Sequence, residues 1–504
     1  MENIINKIRN LAFIGCIFLV SCEKLQDIND SPNSLTSVPD QYLFTNAAKW
    51  AVSEARQLTS RSQLMFTGAW AHLYYTPYAE DRYEMNYDTD DESILWGDLY
   101  SSSLTQSNNI VKITGTDGTA PNTVRNAMSQ ILTFIAYIKL TDLFGSIPYI
   151  EGGKGISYNI LTPKYDTQEF IYHDIIEKLG KCITVFESGN AAEGYGSADP
   201  FYSGDLTKWI KYANSFRLRL AMRMRYSDPS GAATAITACL SKPLMESNAD
   251  NALIKNFNVS QIYLYSGWYE VFQNEGKSSR PSKLLIDELK ATSDPRLPVF
   301  AISNTTGGYE GVPNGVTAAA RALIPDATLS SWQPVMYAKD IPSYALCYAE
   351  VCFLKAEAAL YGIGRTASTT DANAYYQDGI EAAMGVWGVK QADIDNFIST
   401  QAEASLSGTQ EDNFRKICTQ EWLSFITNNY EAFNIVRRTG YPVVPVRTGL
   451  ESPYALSVGI TVGQLPSRAT YPSTELTLNR ANYDDAIAKQ GADTRTTKLW
   501  WDSK

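Results

Sequence analysis

The sequence predicts a mainly α-helical fold interrupted by long irregular loops. Two observations carry the helices. Apolar residues recur at 3–4 spacing from Gln41 onward. Ala-rich segments alternate large and small residues, as closely stacked helix pairs do. The loops follow from a third. Gln261–Pro281, Asn304–Pro342 and Pro442–Glu475 are rich in Gly, Ser, Pro and aromatics, without helix or strand periodicity. Irregular stretches of that length commonly carry function. No consensus repeats at a fixed period, so the pairing signal alone does not define a repeat architecture.

In chain order, the spacing of Val124, Ala127, Met128, Ile131, Ile135 and Ile138 predicts a helix over Thr123–Leu143. Phe144-Gly145 and Pro148 then stop it and turn the chain. Asp166-Thr-Gln-Glu169 reads as a capping box, with Asp in the Ser/Thr position, that opens a helix carrying Ile171, Ile175, Leu179, Ile183 and Phe186. Asp205 can cap the next helix, which buries Trp209, Ala213, Phe216 and Leu220. Asp294-Pro295 starts a turn that Arg296 can anchor. Ala345–Tyr361 is a further helix, closed by Gly362. Tyr375–Trp387 and Asn413–Val436 are read as two more, the second ending at Arg437 and Arg438, where cations complement the helix dipole.

Composition bounds the function. The chain of 504 residues is 44% hydrophobic and 19% charged, which is globular and ample for a core without staples. With 43 Lys and Arg against 54 Asp and Glu, the net charge of −11 argues against a nucleic-acid partner. His72 and His173 are the only two histidines, which excludes a histidine-rich metal centre and disfavours a His-based triad. The sequence contains no P-loop, dinucleotide fingerprint, G-x-S-x-G or H-E-x-x-H. The 31 Tyr and 10 Trp outweigh 18 Phe, a bias toward aromatics with a polar tip that suits a recognition surface.

The first residues read as an address. Lys7 and Arg9 precede the apolar run Leu11–Val20, too short to span a bilayer but right for a signal peptide over residues 1–21. Leu19-Val20-Ser21-Cys22 looks like a bacterial lipobox, with Cys22 as the lipidated residue. Residues 22–40 form a polar tether and 41–504 a single helical body. No later segment approaches 18 apolar residues, so the membrane is met through the anchor alone. Cys182, Cys239, Cys347, Cys352 and Cys418 contain no C-x-x-C and read as small buried hydrophobes; a disulfide is permitted but not required.

Several segments together resemble the SusD/RagB family of Bacteroidetes outer-membrane lipoproteins. They are Asp27-Ile-Asn-Asp-Ser-Pro-Asn33, Asp142-Leu-Phe-Gly-Ser-Ile-Pro-Tyr149, Leu218-Arg-Leu-Ala-Met-Arg223 and Asp294-Pro-Arg-Leu297. They continue with Tyr348–Ala358, Arg437-Arg-Thr-Gly-Tyr-Pro442, the closing Arg468, Tyr471-Pro472, Glu475 and Asn479, and the tail Leu499-Trp-Trp-Asp502. The matches run through the whole chain in order. The resemblance implies four tetratricopeptide-like units with irregular loops packed on one face. It also implies a lipid-anchored, cell-surface-exposed outer-membrane protein that caps a SusC-like TonB-dependent transporter. Such a protein binds an oligosaccharide or polysaccharide, or sometimes a peptide, and is not an enzyme. Neither cofactor nor metal is expected.

Sugar C–H faces stack on Trp and Tyr, and sugar hydroxyls bond polar side chains. Three aromatic clusters therefore form the candidate site: Trp70, Tyr74, Tyr78, Arg82, Tyr83 and Trp96; Trp268 and Tyr269, beside Tyr263 and Tyr265; and Trp332 with Tyr337. The expectation is one shallow cleft built from these loops. On a helix Trp70 and Tyr74 would share a face, either toward ligand or toward the scaffold. Trp268 and Trp332 lie in loop sequence and are expected to be dispensable for folding. The acidic run Asp88, Asp90, Asp91 and Glu92 reads as a solvated loop in preference to a calcium site, and His72 as a structural hydrogen-bonder. The alternatives are a peptide-binding lid and a glycoside hydrolase, whose paired carboxylates a sequence does not exclude.

Overall fold

The computed structural model describes residues 38–52, 59–76, 90–261, 264–274, 279–316, 318–445 and 464–504. The signal peptide, Cys22 and nearly all of the tether lie outside them. Helices of eight residues or more begin with α1 (Asp40–Val52) and α2 (Asp90–Asp98). Four consecutive pairs then form the body. α3 (Thr105–Thr114) packs on α4 (Thr123–Phe144), and α5 (Gln168–Ser188) on α6 (Leu206–Arg223), with α7 (Pro229–Leu240) behind. After α8 (Gly267–Asn274) and α9 (Lys283–Ala291), α10 (Tyr348–Tyr361) packs on α11 (Thr369–Gly385). α12 (Gln391–Thr400) precedes the last pair, α13 (Gln410–Ser424) on α14 (Asn429–Thr439), and α15 (Arg480–Gln490) follows. Each pair touches the next through α4 and α5, α6 and α10, and α10 and α13. No pair could bury its apolar face alone; stacking makes one continuous core.

Local chemistry sets the boundaries. Asn122 caps α4 by accepting from Arg125 N, and Gly145, at φ +84°, ends it. That φ favours glycine, and a Cβ would also lie 2.0 Å from Gln490 Oε1, displacing that side-chain amide. Gly145→Ala is expected to cost about 1–3 kcal/mol from backbone strain before the clash is counted, read as a lower thermal midpoint. By length and composition alone α4 could cross a membrane, but 89% of its apolar window is buried inside the fold, as in a core helix. Asp205 caps α6 as expected, and Gly362 closes α10 at φ +69°.

Several boundaries differ from expectation. α11 opens at Thr369 behind the Ser368 cap and ends at Gly385, where Tyr375–Trp387 was expected. The cap of α5 is Thr167, which accepts from Phe170 N; Asp166 instead accepts from the Tyr149 and Ile150 amides. α10 starts late because Ser343–Leu346 pairs as a strand. The stretch read as one helix over 413–436 is two, separated by residues 425–428. α1, α2, α3, α7, α9, α12 and α15 were not delimited from the sequence, and α8 lies in a stretch expected to be irregular, though Asp228-Pro229 and Ser282 stand at the caps of α7 and α9. Among the described residues, short strands form antiparallel ribbons: β1 (Tyr74–Tyr75) with β3 (Arg280–Pro281), β2 (Ala252–Ile254) with β6 (Ser343–Leu346), and β4 (Ala301–Ile302) with β5 (Ser331–Trp332).

A chain of buried ion pairs runs along the stack. Arg219 of α6 pairs with Glu350 of α10, and Arg223 with both Asp142 of α4 and Glu431 of α14. Glu357 of α10 meets Arg438 of α14 at 2.6 Å and Arg225 at 2.8 Å. Arg437 donates to the Ser467 and Asp142 carbonyls and lies 3.9 Å from the Phe433 ring. Trp501 Nε1 donates to Asp142 Oδ1 at 2.9 Å. Arg437 and Arg438 do occupy the last turn of α14, but their guanidinium groups are committed to these contacts. Arg296 anchors its turn by binding Asp294 and reaches Gln420. The motifs shared with the SusD/RagB pattern are thus mainly scaffold.

Candidate functional site

The ribbons hold the irregular chain against the 425–428 connection of the last helix pair. Tyr74 of β1, fully buried, stacks near-parallel on Trp268 of α8 at 5.3 Å and meets Trp332 of β5 at 4.5 Å. The polar tips explain how three separate segments are locked together. Tyr74 Oη donates to Ile426 O at 2.8 Å, Trp268 Nε1 to Thr427 O at 3.3 Å, and Trp332 Nε1 to Ser279 Oγ at 3.4 Å. Burial pushes the Tyr74 hydroxyl well above the usual tyrosine range, so it stays a donor. Phe272 extends the stack, lying 4.9 Å from Tyr337 with rings nearly parallel.

Above this stack the rim is half-open. Tyr265, Tyr269 and Tyr337 are partly exposed, and Tyr265 meets Tyr269 edge-on at 5.4 Å. Lys339 Nζ sits 5.0 Å from the Tyr269 ring centroid, and the Lys339 carbonyl accepts from Ser266 N. Phe257 and Leu264, 53% and 45% exposed, are joined by Phe257 N donating to Leu264 O. The result is an apolar shelf of aromatic faces and edges with one flanking cation, suited to C–H faces and hydroxyls of a polyol.

The structure joins Tyr74 from the first predicted cluster to Trp268 and Tyr269 from the second and Trp332 and Tyr337 from the third. It separates two others. Trp70, 1% exposed, packs on Phe66 and Phe433. Trp96 packs on Tyr100, Phe144, Tyr165 and Tyr471. The shared helical face of Trp70 and Tyr74 does not form, because the helix ends at Trp70 and the chain turns at His72, φ +52°, into β1. Trp268 and Trp332 lie in a helix and a strand, not in open loop, and are buried, so neither presents a free face. Tyr78, Arg82, Tyr83 and Tyr263 lie outside the described residues. Phe272, Phe257 and Leu264 were not singled out from the sequence; the i, i+4 spacing of Trp268 and Phe272 was the available signal.

Burial pulls the His72 imidazole down to about 3, so it is neutral. Among the described residues no cluster of His, Cys, Asp and Glu could hold a metal ion. Asp90–Glu92 of the acidic run open α2, and Asp88 lies outside the described residues. Cys182, Cys239, Cys347, Cys352 and Cys418 are free thiols, and burial pushes the first four up to about 12.

Comparison with known proteins gives concordant matches. A SusD-like family model, described as starch-binding and associating with the outer membrane, matches residues 32–472. A solved chitin-binding protein is 29% identical, with a TM-score of 0.80 over 93% of this chain and 100% of its own. A chitin-binding SusD homologue from Flavobacterium johnsoniae, 23% identical, has a TM-score of 0.77 over 92% of this chain and 98% of its own. A SusD homologue from Bacteroides uniformis, 23% identical, also reaches 0.77, over 93% and 100%. No curated protein matches the chain.

Proposed function

This chain belongs to the SusD-like family of outer-membrane-associated starch-binding proteins, and from that membership we propose that it is a non-catalytic, cell-surface glycan-binding lipoprotein that passes oligosaccharide to a SusC-like TonB-dependent transporter. The observation that carries the glycan reading is the aromatic stack of Tyr74, Trp268 and Trp332 with its half-open rim of Tyr265, Tyr269 and Tyr337. The buried rings hold the rim rigid, and a rigid aromatic platform loses little entropy on binding. Chito-oligosaccharides are the first ligands to test, because two structural relatives are chitin-binding proteins. Calorimetric titration with N-acetylglucosamine oligomers and malto-oligosaccharides should give saturable heat with at least one of them. Flat titrations across a broader glycan panel would contradict the reading.

Anchoring and delivery are tested separately. Cys22→Ala should release the protein from the outer-membrane fraction, since stable retention needs more than one acyl chain. An unchanged distribution would contradict the anchor. Pull-down of the wild type from detergent-solubilised outer membrane should bring a TonB-dependent transporter, with an interface above roughly 2,000 Å² if the complex is obligate. Pull-down without one would remove the delivery role and leave glycan capture standing.

A further inference from the structure

At the opposite end of the α13–α14 pair from the 425–428 connection, the Lys504 ammonium sits among aromatic rings that the glycan reading does not use. Its Nζ lies 4.8 Å from the Phe414 ring centroid, 5.5 Å from that of Tyr441 and 5.7 Å from that of Tyr226. It donates to the Thr439 carbonyl at 3.1 Å, with Glu411 Oε1 at 3.8 Å. The rings brace one another. Phe414 meets Tyr361 and Tyr441 edge-on at 5.3 and 6.0 Å, and Tyr441 Oη donates to Glu411 Oε1 at 2.8 Å.

Every part of this arrangement favours a cation of that kind. Ring quadrupoles attract an ammonium. The Thr439 carbonyl ends α14, where the helix dipole favours positive charge. A carbonyl and a carboxylate together can accept from two of the three donors that an ammonium carries. Arg225 lies over the Tyr226 and Phe414 rings at 4.4 and 5.1 Å, but its charge is met by Glu357 at 2.8 Å. The Lys504 side chain is 36% exposed, and its segment is fixed without it. Trp501 is fully buried and bonded to Asp142, and Ser227 Oγ donates to the Trp500 carbonyl at 2.6 Å. The ammonium can therefore leave while rings, carbonyl and carboxylate stay in place.

We propose that this is a binding slot for a linear primary ammonium group, filled in cis by Lys504 and taken by an ammonium from outside the chain when Lys504 swings out. The ligand class is read from the group the slot already holds, so it stands independently of the glycan reading. The slot needs no volume beyond that of the Lys504 side chain itself. Lysine side chains of a polypeptide and polyamines both carry the group that fits.

The test is nuclear magnetic resonance of the full-length protein with ¹³C-labelled tyrosine rings, the Tyr441 resonance being identified by its loss in Tyr441→Phe. In Lys504→Ala, n-butylammonium should shift that resonance saturably, and n-butanol, of the same length without the charge, should not. Wild type should bind n-butylammonium about fivefold more weakly, because Lys504 competes from within the chain; fivefold corresponds to roughly 1 kcal/mol, the size of an exposed cation–ring contact. Nα-acetyl-lysine methylamide and spermidine, titrated in the same way, distinguish a peptide side chain from a polyamine by which binds more tightly. No response to either overturns the proposal. A Tyr441 resonance that stays put with n-butylammonium in Lys504→Ala overturns it too. So does an equal response to n-butanol, since an apolar crevice then accounts for the binding. Equal affinity in wild type and Lys504→Ala also overturns it, because the amine then sits elsewhere.

Discussion

Glu357→Gln is expected to destabilise the protein by about 3–5 kcal/mol, the cost of breaking a buried ion pair from one side. Glu357 is fully buried, with Arg438 at 2.6 Å on both oxygens and Arg225 at 2.8 Å. A neutral amide would leave two buried guanidinium groups without a counter-charge. Burial alone would push the Glu357 carboxyl up, but Arg225 and Arg438 outweigh it and hold it below the usual glutamate range. A folded-state value below the unfolded one means the stabilisation is present above the ordinary glutamate value and lost as pH falls through the lowered one. Wild type and Glu357→Gln should therefore converge in stability at acid pH. Glu421 gives the opposite sign from the same network. It is buried, 3.9 Å from Arg438, and burial pushes it well above the ordinary range. Its charged form is disfavoured where that of Glu357 is favoured, so Glu421→Gln should cost less stability at neutral pH than Glu357→Gln. Denaturant titrations of the two variants across pH check both statements. Equal losses at neutral pH would contradict them.

Trp332→Ala is expected to remove stability and ligand binding together, by about 3–5 kcal/mol for the buried ring. At 3% exposed, packed on Tyr74 and bonded to Ser279, the indole is part of the core that presents the shelf. The same holds for Trp268. Reading both from the sequence as dispensable loop platforms follows from their Gly- and Ser-rich surroundings. What that composition does not record is that each lies within a two- or eight-residue element whose packing partners are far away in sequence. Tyr269 and Tyr337, half-exposed on the rim, are the positions where loss of binding and loss of fold separate.

The scaffold was legible where local signals suffice: α4, α5, α6 and α10 follow apolar periodicity and caps. Helices such as α12 and α15, short and polar on most faces, were not, because tertiary contacts and not propensity hold them. The split of α13 from α14 was hidden for a different reason. Apolar residues continue through Phe425 and Ile426, and at the break the Tyr74 hydroxyl and Trp268 indole dock on the Ile426 and Thr427 carbonyls. The ion-pair chain shows the same asymmetry. The Arg and Glu positions stood out as motifs, but which acid met which base depended on contacts over 81 to 208 residues of sequence. At the site, aromatic density located the right segments, while the choice between platform and buried support was decided by packing alone.

The central claim is that the half-open aromatic rim on this helical scaffold binds glycan. Calorimetric titration of the double variant Tyr269→Ala, Tyr337→Ala, beside wild type and with the oligosaccharide the wild type binds best, tests it most directly. The account predicts a loss on the order of 2 kcal/mol or more, at least about thirtyfold in Kd, with circular dichroism and the thermal midpoint close to wild type. Wild-type affinity in a folded double variant would contradict it.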